Sequence, residues 1–229
     1  MLQNLIAELK AIHEKIPRQS YSFMQLSSFE TEIKVIIIGN GRVGKTSLLT
    51  RFVESSFTDV YRKTLGVDYL EKKVFVSAIH EQVTFYIYDT AGQEEYDSMT
   101  RSFYRGAGAA IVAFSTVDRG SFLAVPGWLE RVREECGQIP IVLVQTKIDM
   151  TDTDAVTPGE ADSVSVETGL RLYRVCAKDN INVTSVFEQL CFDHVKRRQC
   201  ARIKNPTLLE KHSDMKRNNS SVFSNCVLS

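Results

Sequence analysis

The chain has 229 residues, of which 43% are hydrophobic and 24% are charged, which allows one well-buried core with extensions. Lysine plus arginine and aspartate plus glutamate each number 28, so the charge balance gives no reason to expect a nucleic-acid partner. No apolar run approaches the ~20 residues of a membrane-spanning helix, and the N-terminus lacks the basic and apolar regions of a secretory signal.

The N-terminal segment is predicted to form an amphipathic helix over residues 2–16, because its apolar residues recur every three or four positions before Pro17. Residues 18–31 follow as a linker. The helix could dock on its own domain, dimerise, bind a partner or lie on a membrane. Its mixed charges argue against the membrane role, and docking on its own domain is the interpretation that we favour.

A repeated strand–helix pattern begins at residue 32. The apolar run 33–38 is typical of a strand buried on both faces, the loop GNGRVGKT occupies 39–46, and the next residues, SLLTRFV, predict a helix. Further strands are predicted at 67–78, 82–89, 107–115, 140–149 and 170–178. Alternation of this kind predicts a three-layer α/β domain with a mostly parallel sheet, and the two adjacent strands over 67–89 predict one antiparallel edge pair.

Two helices near the end of this domain have clear signals. Thr157, Pro158 and Glu160 form a helix start, with a threonine cap, a proline at the first position and a glutamate at the third. The final helix carries a stripe of apolar residues at Val183, Val186, Phe187, Leu190, Cys191 and Val195. After about Lys204 the chain becomes polar, and we expect a flexible tail there.

The loop at 39–46 has the GxxxxGK[ST] spacing of a phosphate-binding loop. Its glycines let backbone N–H groups close around a polyphosphate, and the start of the helix adds its positive dipole end. Lys45 is expected to contact the β- and γ-phosphates, and the Thr46 hydroxyl to bind Mg²⁺. A plain glycine turn before a helix is the alternative, which the buried strand and the helix on either side make improbable.

Two later segments indicate which nucleotide is bound and that it is hydrolysed. Asp89 ends a strand and can hold Mg²⁺ through water, while Gly92 and Gln93 can contact the γ-phosphate and orient the attacking water. Asp149, at the end of the segment TKID, can accept two hydrogen bonds from guanine that adenine cannot supply, so the wrong base is rejected.

On these motifs, residues 32–203 resemble a Ras-superfamily small GTPase, and the Rab family most. The phosphate loop, DTAGQ (89–93), TKID (146–149) and CAK (176–178) have Ras-like order, while LGVDY (65–69), DTAGQEEYDSMT and FYRGA (103–107) are Rab-like. The stretch KTLGVDYLE is similar to the Rab subtype numbered twenty-three, which is linked to cilia and flagella. The resemblance implies a Ras-like P-loop fold with a six-stranded sheet, mostly parallel, with one antiparallel edge strand.

The resemblance also implies roles for matching residues. Thr64 would bind Mg²⁺ and the γ-phosphate, Phe57 would pack edge-on against guanine, and Tyr61 would cover the phosphates. Lys147 and Lys178 would lie along the faces of the base, the Ala177 N–H would meet guanine O6, and the small Gly41 would admit the arginine of a GTPase-activating protein (GAP). In full, the implied nucleotide site is Gly39, Asn40, Gly41, Arg42, Val43, Gly44, Lys45, Thr46, Ser47, Phe57, Tyr61, Thr64, Gly92, Thr146, Lys147, Asp149, Cys176, Ala177 and Lys178, with Thr46, Thr64 and Asp89 at the metal and Gln93 catalytic.

The chain departs from the family pattern in four places. Thr146 stands where asparagine is usual, although Rho-family proteins also use threonine there, so we expect guanine binding to survive. Cys176 replaces a serine, Tyr88 replaces a tryptophan common in Rabs, and Arg42 is bulkier than the glycine of Ras. None of these changes removes a γ-phosphate or Mg²⁺ contact.

The resemblance implies a GTPase that cycles between GTP- and GDP-bound states as a switch in vesicle traffic. No arginine finger is evident in the chain, so hydrolysis alone should be slow, about 10⁻⁴ to 10⁻³ s⁻¹, and up to ~10⁵-fold faster with a GAP. Segments 57–70 and 92–105 would be ordered by the γ-phosphate. Expected partners are effectors, an exchange factor, a GAP, and a GDP-dissociation inhibitor or prenyl-binding chaperone.

The C-terminal residues CVLS (226–229) form a C-a-a-X box, and serine at the last position favours a farnesyl group on Cys226. Most Rabs instead end in two cysteines that carry geranylgeranyl groups. One lipid gives only reversible binding, so a second signal is needed.

The five cysteines form no CxxC pair, which is typical of free thiols in a reducing compartment. We therefore expect a cytoplasmic protein attached peripherally to the cytosolic face of a membrane, and the narrower resemblance implies a ciliary or flagellar compartment. We expect the chain to divide into an N-terminal extension (1–31), a small GTPase domain (32–203) and a flexible C-terminal tail with the prenylation motif (204–229).

The same residues argue against two rival functions. A scaffold that holds GTP permanently would act only by binding effectors, and Gln93, Thr64 and Gly41 argue against it. An ATP-using P-loop enzyme, such as a small kinase, is disfavoured by Asp149 together with Lys147.

Overall fold

The structure is a computed structural model that describes residues 31–58, 60, 64, 67–77, 79–90, 102–150 and 155–204, and for 201–204 the backbone alone. The predicted N-terminal helix, residues 61, 92 and 93, and most of the C-terminal tail lie outside the described residues. None of the described helices is long and apolar enough to cross a membrane.

The described chain alternates strands and helices in the order that the sequence predicted. The strands are β1 (Thr31–Ile38), β2 (Val67–Val76), β3 (Glu81–Thr90), β4 (Ala109–Ser115), β5 (Ile141–Thr146) and β6 (Leu172–Arg174). The helices are α1 (Lys45–Glu54), α2 (Arg119–Leu123), α3 (Val125–Cys136), α4 (Pro158–Thr168) and α5 (Val183–Lys204).

The strands form one six-stranded sheet in the order β2-β3-β1-β4-β5-β6. Every neighbouring pair is parallel except the edge pair β2 and β3, in which Val67 lies opposite Thr90. The prediction of a mostly parallel sheet with one antiparallel edge strand is confirmed. Since the carboxyl ends of β1, β3, β4 and β5 lie at one edge of the sheet, the loops after them come together there.

Alternate residues of β1 supply two cores, one on each face of the sheet. Ile33, Val35 and Ile37 pack with α1 and α5, while Ile36 and Ile38 pack with α3 and α4. On the first face the rings of Phe52 and Phe187 stack with centroids 3.6 Å apart. The continuous apolar run of β1 is therefore explained by burial on both sides of a central strand.

The predicted helix signals are confirmed. The Thr157 side chain accepts a hydrogen bond from the Glu160 N–H, and the Glu160 carboxylate accepts one from the Thr157 N–H, so the two form a capping box. Along α5 the predicted apolar residues are buried, apart from Val195, which packs against the same core while partly buried.

Several strand ends were predicted wrongly. The last strand covers only Leu172–Arg174 instead of 170–178, because the chain then turns back on itself, with an isolated bridge between Cys176 and Ile181. The strand predicted at 140–149 stops at Thr146, since Lys147 adopts a left-handed backbone conformation (φ 57°). The strand predicted at 107–115 starts at Ala109, after a turn that contains Gly106 at φ 77°.

Candidate functional site

The loop between β1 and α1 passes so close to β4 that its first residue must be glycine. A Cβ atom on Gly39 would lie 2.1 Å from the Ala113 carbonyl oxygen, and φ at this residue is 140°. Arg42 (φ 62°) and Gly44 (φ 93°) are also left-handed, and they curve the loop back to the helix. The sequence places no side-chain cap on α1, so the first N–H groups of this helix are available to an anion.

Lys45 lies buried under this loop. Its Nζ donates hydrogen bonds to the carbonyl oxygens of Gly39 (2.8 Å) and Asn40 (2.9 Å). Burial lowers the pKa of Lys45 to about 8, and the nearby Asp89 carboxylate acts in the opposite direction. The ammonium group is therefore fixed at the loop and short of negative charge, which a phosphate would supply.

Three predicted metal-site residues converge beside Lys45. The Thr46 hydroxyl lies 2.5 Å from Asp89 Oδ2 and 2.9 Å from the Thr64 hydroxyl, and Thr64 lies 3.4 Å from the same carboxylate oxygen. Asp89 is buried, which raises its pKa, and the Thr46 hydrogen bond and Lys45 oppose that rise. Its Oδ1 atom is buried with no hydrogen-bond partner among the described residues.

This set of atoms fits Mg²⁺. One carboxylate and two hydroxyls are hard oxygen ligands, and Mg²⁺ sites typically use one or two carboxylates completed by water and substrate phosphates. A bound cation would also compensate the buried Asp89 charge. Within the described part of the chain there is no cluster of three His, Cys, Asp or Glu side chains, so the fit depends on this mixed set.

The TKID segment joins the same loop from the end of β5. The Thr146 hydroxyl lies 2.5 Å from the Val43 carbonyl oxygen and 3.1 Å from that of Phe114. Thr146, which stands where asparagine is usual, therefore connects the TKID segment to the phosphate loop and to β4. Gly44 faces the same segment, since a Cβ there would lie 4.0 Å from Lys147 Cε.

Asp149 is exposed, and its carboxylate accepts a hydrogen bond from the CAK segment. The Cys176 sulfur lies 3.3 Å from Asp149 Oδ1 and 3.1 Å from Asp179 Oδ2. Burial raises the pKa of Cys176 to about 11, and its contacts with both carboxylates add to the rise. The residue therefore remains a thiol, which can donate a hydrogen bond to an aspartate, as the serine usual in the family would.

The remaining predicted residues divide into three groups. Gly41, Arg42 and Ser47 lie in the loop or in the first turn of α1, whereas the Val43 side chain belongs to the core and only its backbone faces the site. Phe57, Ala177 and Lys178 lie together around Arg51, whose guanidinium carbon is 5.8 Å from the Phe57 ring centroid. Predictions for Tyr61, Gly92, Gln93 and Cys226 lie outside the described residues.

Two residues of the site were missed. Arg51 contacts the CAK segment through backbone carbonyls, and Trp128 on α3 donates from Nε1 to Asn40 Oδ1 at 2.8 Å. Neither contact has a local sequence motif, because the partners are 126, 127 and 88 positions away. The one available signal was that Trp128 is the only tryptophan of the chain.

The sequence of this chain is similar to those of known proteins. The sequence model of the Ras family matches residues 34–196. The chain is 35% identical over 164 residues to "Ras-related protein Rab-3C" of Bos taurus, which is 71% of each chain. Over the same length it is 37% identical to "Ras-related protein Rab-3" of Caenorhabditis elegans and 35% identical to "Ras-related protein Rab-3A" of Homo sapiens, which is 71% of this chain and 74% of each relative. The span matched by the family model contains every described residue of the site.

Proposed function

Because the chain belongs to the Ras family of small GTPases, which bind GTP and GDP with Mg²⁺ and hydrolyse GTP, we propose that it works as a Rab-like switch in vesicle traffic. In this proposal the GTP-bound form recruits effectors and the GDP-bound form does not. An exchange factor resets the cycle, and a GAP accelerates hydrolysis.

The observation that supports this proposal best is the convergence of Lys45, Thr46, Thr64 and Asp89. They come from three separate parts of the chain, the start of α1, the segment before β2 and the end of β3, yet the three hydroxyl and carboxylate groups lie within 3.4 Å of one another. Thr64 lies between α1 and β2, in the segment that would be ordered by a γ-phosphate. A residue that shares hydrogen bonds with the metal ligands is well placed to distinguish GTP from GDP.

Each group has a defined task in the proposed reaction. Lys45 and the N–H groups of residues 41–46 bind the phosphates and offset the charge that develops on them. Thr46, Thr64 and Asp89 would hold Mg²⁺, which would supply positive charge to offset that of the phosphates. Gln93 orients the attacking water, Asp149 accepts from the base, and Lys147 packs along one face of it.

Specificity for guanine is proposed to depend on Asp149 and Ala177. Asp149 can pair only with a base that presents two adjacent donors, and the Cys176 thiol behind it limits its movement. An adenine base would leave the carboxylate unpaired, which is costly in a desolvated site. We infer that GTP is preferred over ATP by this carboxylate.

The experiment is single-turnover GTP hydrolysis with Mg²⁺, comparing the wild type with Gln93→Leu. Gln82→Leu, the same change at an exposed position of β3, is the control. Slow wild-type hydrolysis that falls further only in Gln93→Leu is the expected result. Tight GTP binding without hydrolysis in all three proteins would instead establish a permanently GTP-bound scaffold, and ATP competing equally with GTP would contradict the assignment of Asp149.

We also propose that a prenyl group on Cys226 attaches the protein to the cytosolic face of a membrane, with the weak basic cluster of Lys211, His212, Lys216 and Arg217 as the second signal. The ciliary compartment implied by the resemblance to Rab subtype twenty-three is part of this proposal. Expression in cells that carry prenyl transferases should add the mass of one farnesyl group to the wild type and none to Cys226→Ser. An unmodified wild type would contradict the proposal.

A further inference from the structure

Arg51 binds three backbone carbonyl groups, two in the CAK segment and one just after α1. From α1, its Nε donates to the Ala177 carbonyl oxygen at 2.6 Å, and its Nη2 donates to that of Lys178 at 2.8 Å. Its Nη1 donates to the Ser55 carbonyl oxygen at 3.0 Å. Since the side chain is half-buried, these charge-assisted hydrogen bonds are stronger than they would be in open solvent.

The segment after α1 is held by the same guanidinium group. Ser55 ends the helix in a left-handed conformation (φ 58°) with its N–H bonded to the Arg51 carbonyl oxygen. Two residues later, the Phe57 ring lies 5.8 Å from the guanidinium carbon, within the range of a cation–π contact. Arg51 therefore fixes both the backbone at Ser55 and the ring that follows it.

These contacts show no sign of serving a surface ion pair. The ion pairs seen among the described residues join Arg119 to Glu160 and Arg174 to Asp162, and Arg51 belongs to neither. Its donors point to carbonyl oxygens of two loops, and a planar fork of donors in fixed directions can satisfy several acceptors at once. Lysine, with one nitrogen, cannot span the same set.

We propose that Arg51 is a positioning residue that sets how long a guanine nucleotide stays bound, by holding the CAK segment and Phe57 together around the base. This inference rests on the proposed placement of guanine between Phe57, Asp149 and Ala177. With the Ala177 and Lys178 carbonyls fixed, the Ala177 N–H is aimed at guanine O6 and Lys178 is kept along the base. Without the Arg51 guanidinium group, the CAK segment and Phe57 are both free to move away from the base.

The inference separates nucleotide release from hydrolysis. Lys45, Thr46 and Asp89 make their contacts with one another and with the phosphate loop, and Arg51 takes no part in them. A variant of Arg51 should therefore release nucleotide faster while the GTP it still holds is hydrolysed at the normal rate. A merely structural defect would disturb both.

The test is the release of a fluorescent GDP analogue (methylanthraniloyl-GDP) from full-length protein with Mg²⁺ and excess unlabelled GDP. Arg51→Ala is expected to release it at least about 10-fold faster, as loss of charge-assisted hydrogen bonds predicts. Arg51→Lys and Arg51→Gln keep a donor and should fall between Arg51→Ala and the wild type. Arg133→Ala, at an exposed position of α3, is the matched control and should behave as wild type.

Single-turnover GTP hydrolysis is measured on the same proteins and should stay within about twofold of wild type for the Arg51 variants. Release at the wild-type rate from Arg51→Ala, or hydrolysis that falls in parallel with faster release, would overturn the inference. If Arg51→Ala does not fold, as judged by its thermal transition, the lysine and glutamine variants decide by the same criteria. Failure of the wild type to bind the GDP analogue at all would instead overturn the proposed placement of guanine, and the inference with it.

Discussion

At the residue scale, the phosphate loop depends on a side chain that lies outside it. Trp128 Nε1 donates to Asn40 Oδ1, and the Asn40 carbonyl in turn accepts from Lys45. The indole therefore holds the loop residue whose backbone positions the ammonium group. A neutral hydrogen bond of this kind contributes about 1 kcal/mol.

Trp128→Phe should accelerate GDP release about 5-fold, because an aromatic side chain is kept while the donor to Asn40 is lost. Asn40→Ala removes the acceptor of the same bond and should have a similar effect. The double variant should release GDP no faster than the worse single variant, since both remove one interaction. Release of the fluorescent GDP analogue measures all three, and additive effects would show that the two residues act independently.

At the scale of the element, α4 depends on a capping box at its first turn. Glu160 accepts from the Thr157 N–H and hydroxyl and lies 2.6 Å from Arg119 Nη1. The hydrogen bonds from Thr157 and Arg119 lower the pKa of Glu160 to about 2 from its ordinary 4.5. Folding thus favours the charged form of Glu160, and its ion pair with Arg119 joins α4 to the start of α2.

Glu160→Gln should lower the free energy of unfolding at neutral pH, and the difference from wild type should shrink in acid. A carboxyl whose pKa is lowered by folding stabilises the native state above its unfolded pKa, so the difference is full above about pH 4.5 and is lost as the pH falls toward 2. Urea unfolding at pH 7, 5, 4 and 3 measures it. Glu134→Gln, an exposed change on α3, is the control, and a difference independent of pH would contradict the prediction.

At the scale of the whole molecule, the site joins parts of the chain that only the sheet brings together. The buried Lys45 and Asp89 lie where the ends of β1 and β3 meet, and burial works against the charge on each. Phosphate and Mg²⁺ would relieve both costs at once. A bound nucleotide should therefore stabilise the entire fold.

Removal of nucleotide and Mg²⁺ with a chelator and a phosphatase should lower Tm by roughly 10 °C, since a ligand at about 1,000 times its Kd contributes about 4 kcal/mol. Differential scanning calorimetry measures the change. After removal of the phosphatase, added GDP with Mg²⁺ should restore Tm, whereas ADP with Mg²⁺ should not. Equal recovery with ADP would contradict guanine selectivity, and an unchanged Tm would contradict the coupling of the site to the fold.

The sequence predicted most of this architecture because the signals are local. The burial of β1 is evident from IKVIII, the capping box from Thr157 and Glu160, and the phosphate loop from the spacing of its glycines. Strand ends were less predictable. The apolar residues of 170–178 suit a strand, but Val175 and Cys176 are buried after the strand has ended, in a turn whose path is set by contacts with Gln145 and Ile181.

The sequence by itself determined the fold class and the chemistry of the phosphate loop, because a motif of adjacent residues fixes both the backbone path and the groups it presents. Only the tertiary structure decided how the loops of the site are held in place. Arg51 bonds to Ala177 across 126 positions, Trp128 to Asn40 across 88, and Thr146 to Val43 across 103. In each contact one partner is a backbone carbonyl or a single asparagine side chain, neither of which forms a sequence pattern, so the pairing exists only once the sheet has brought the loops together.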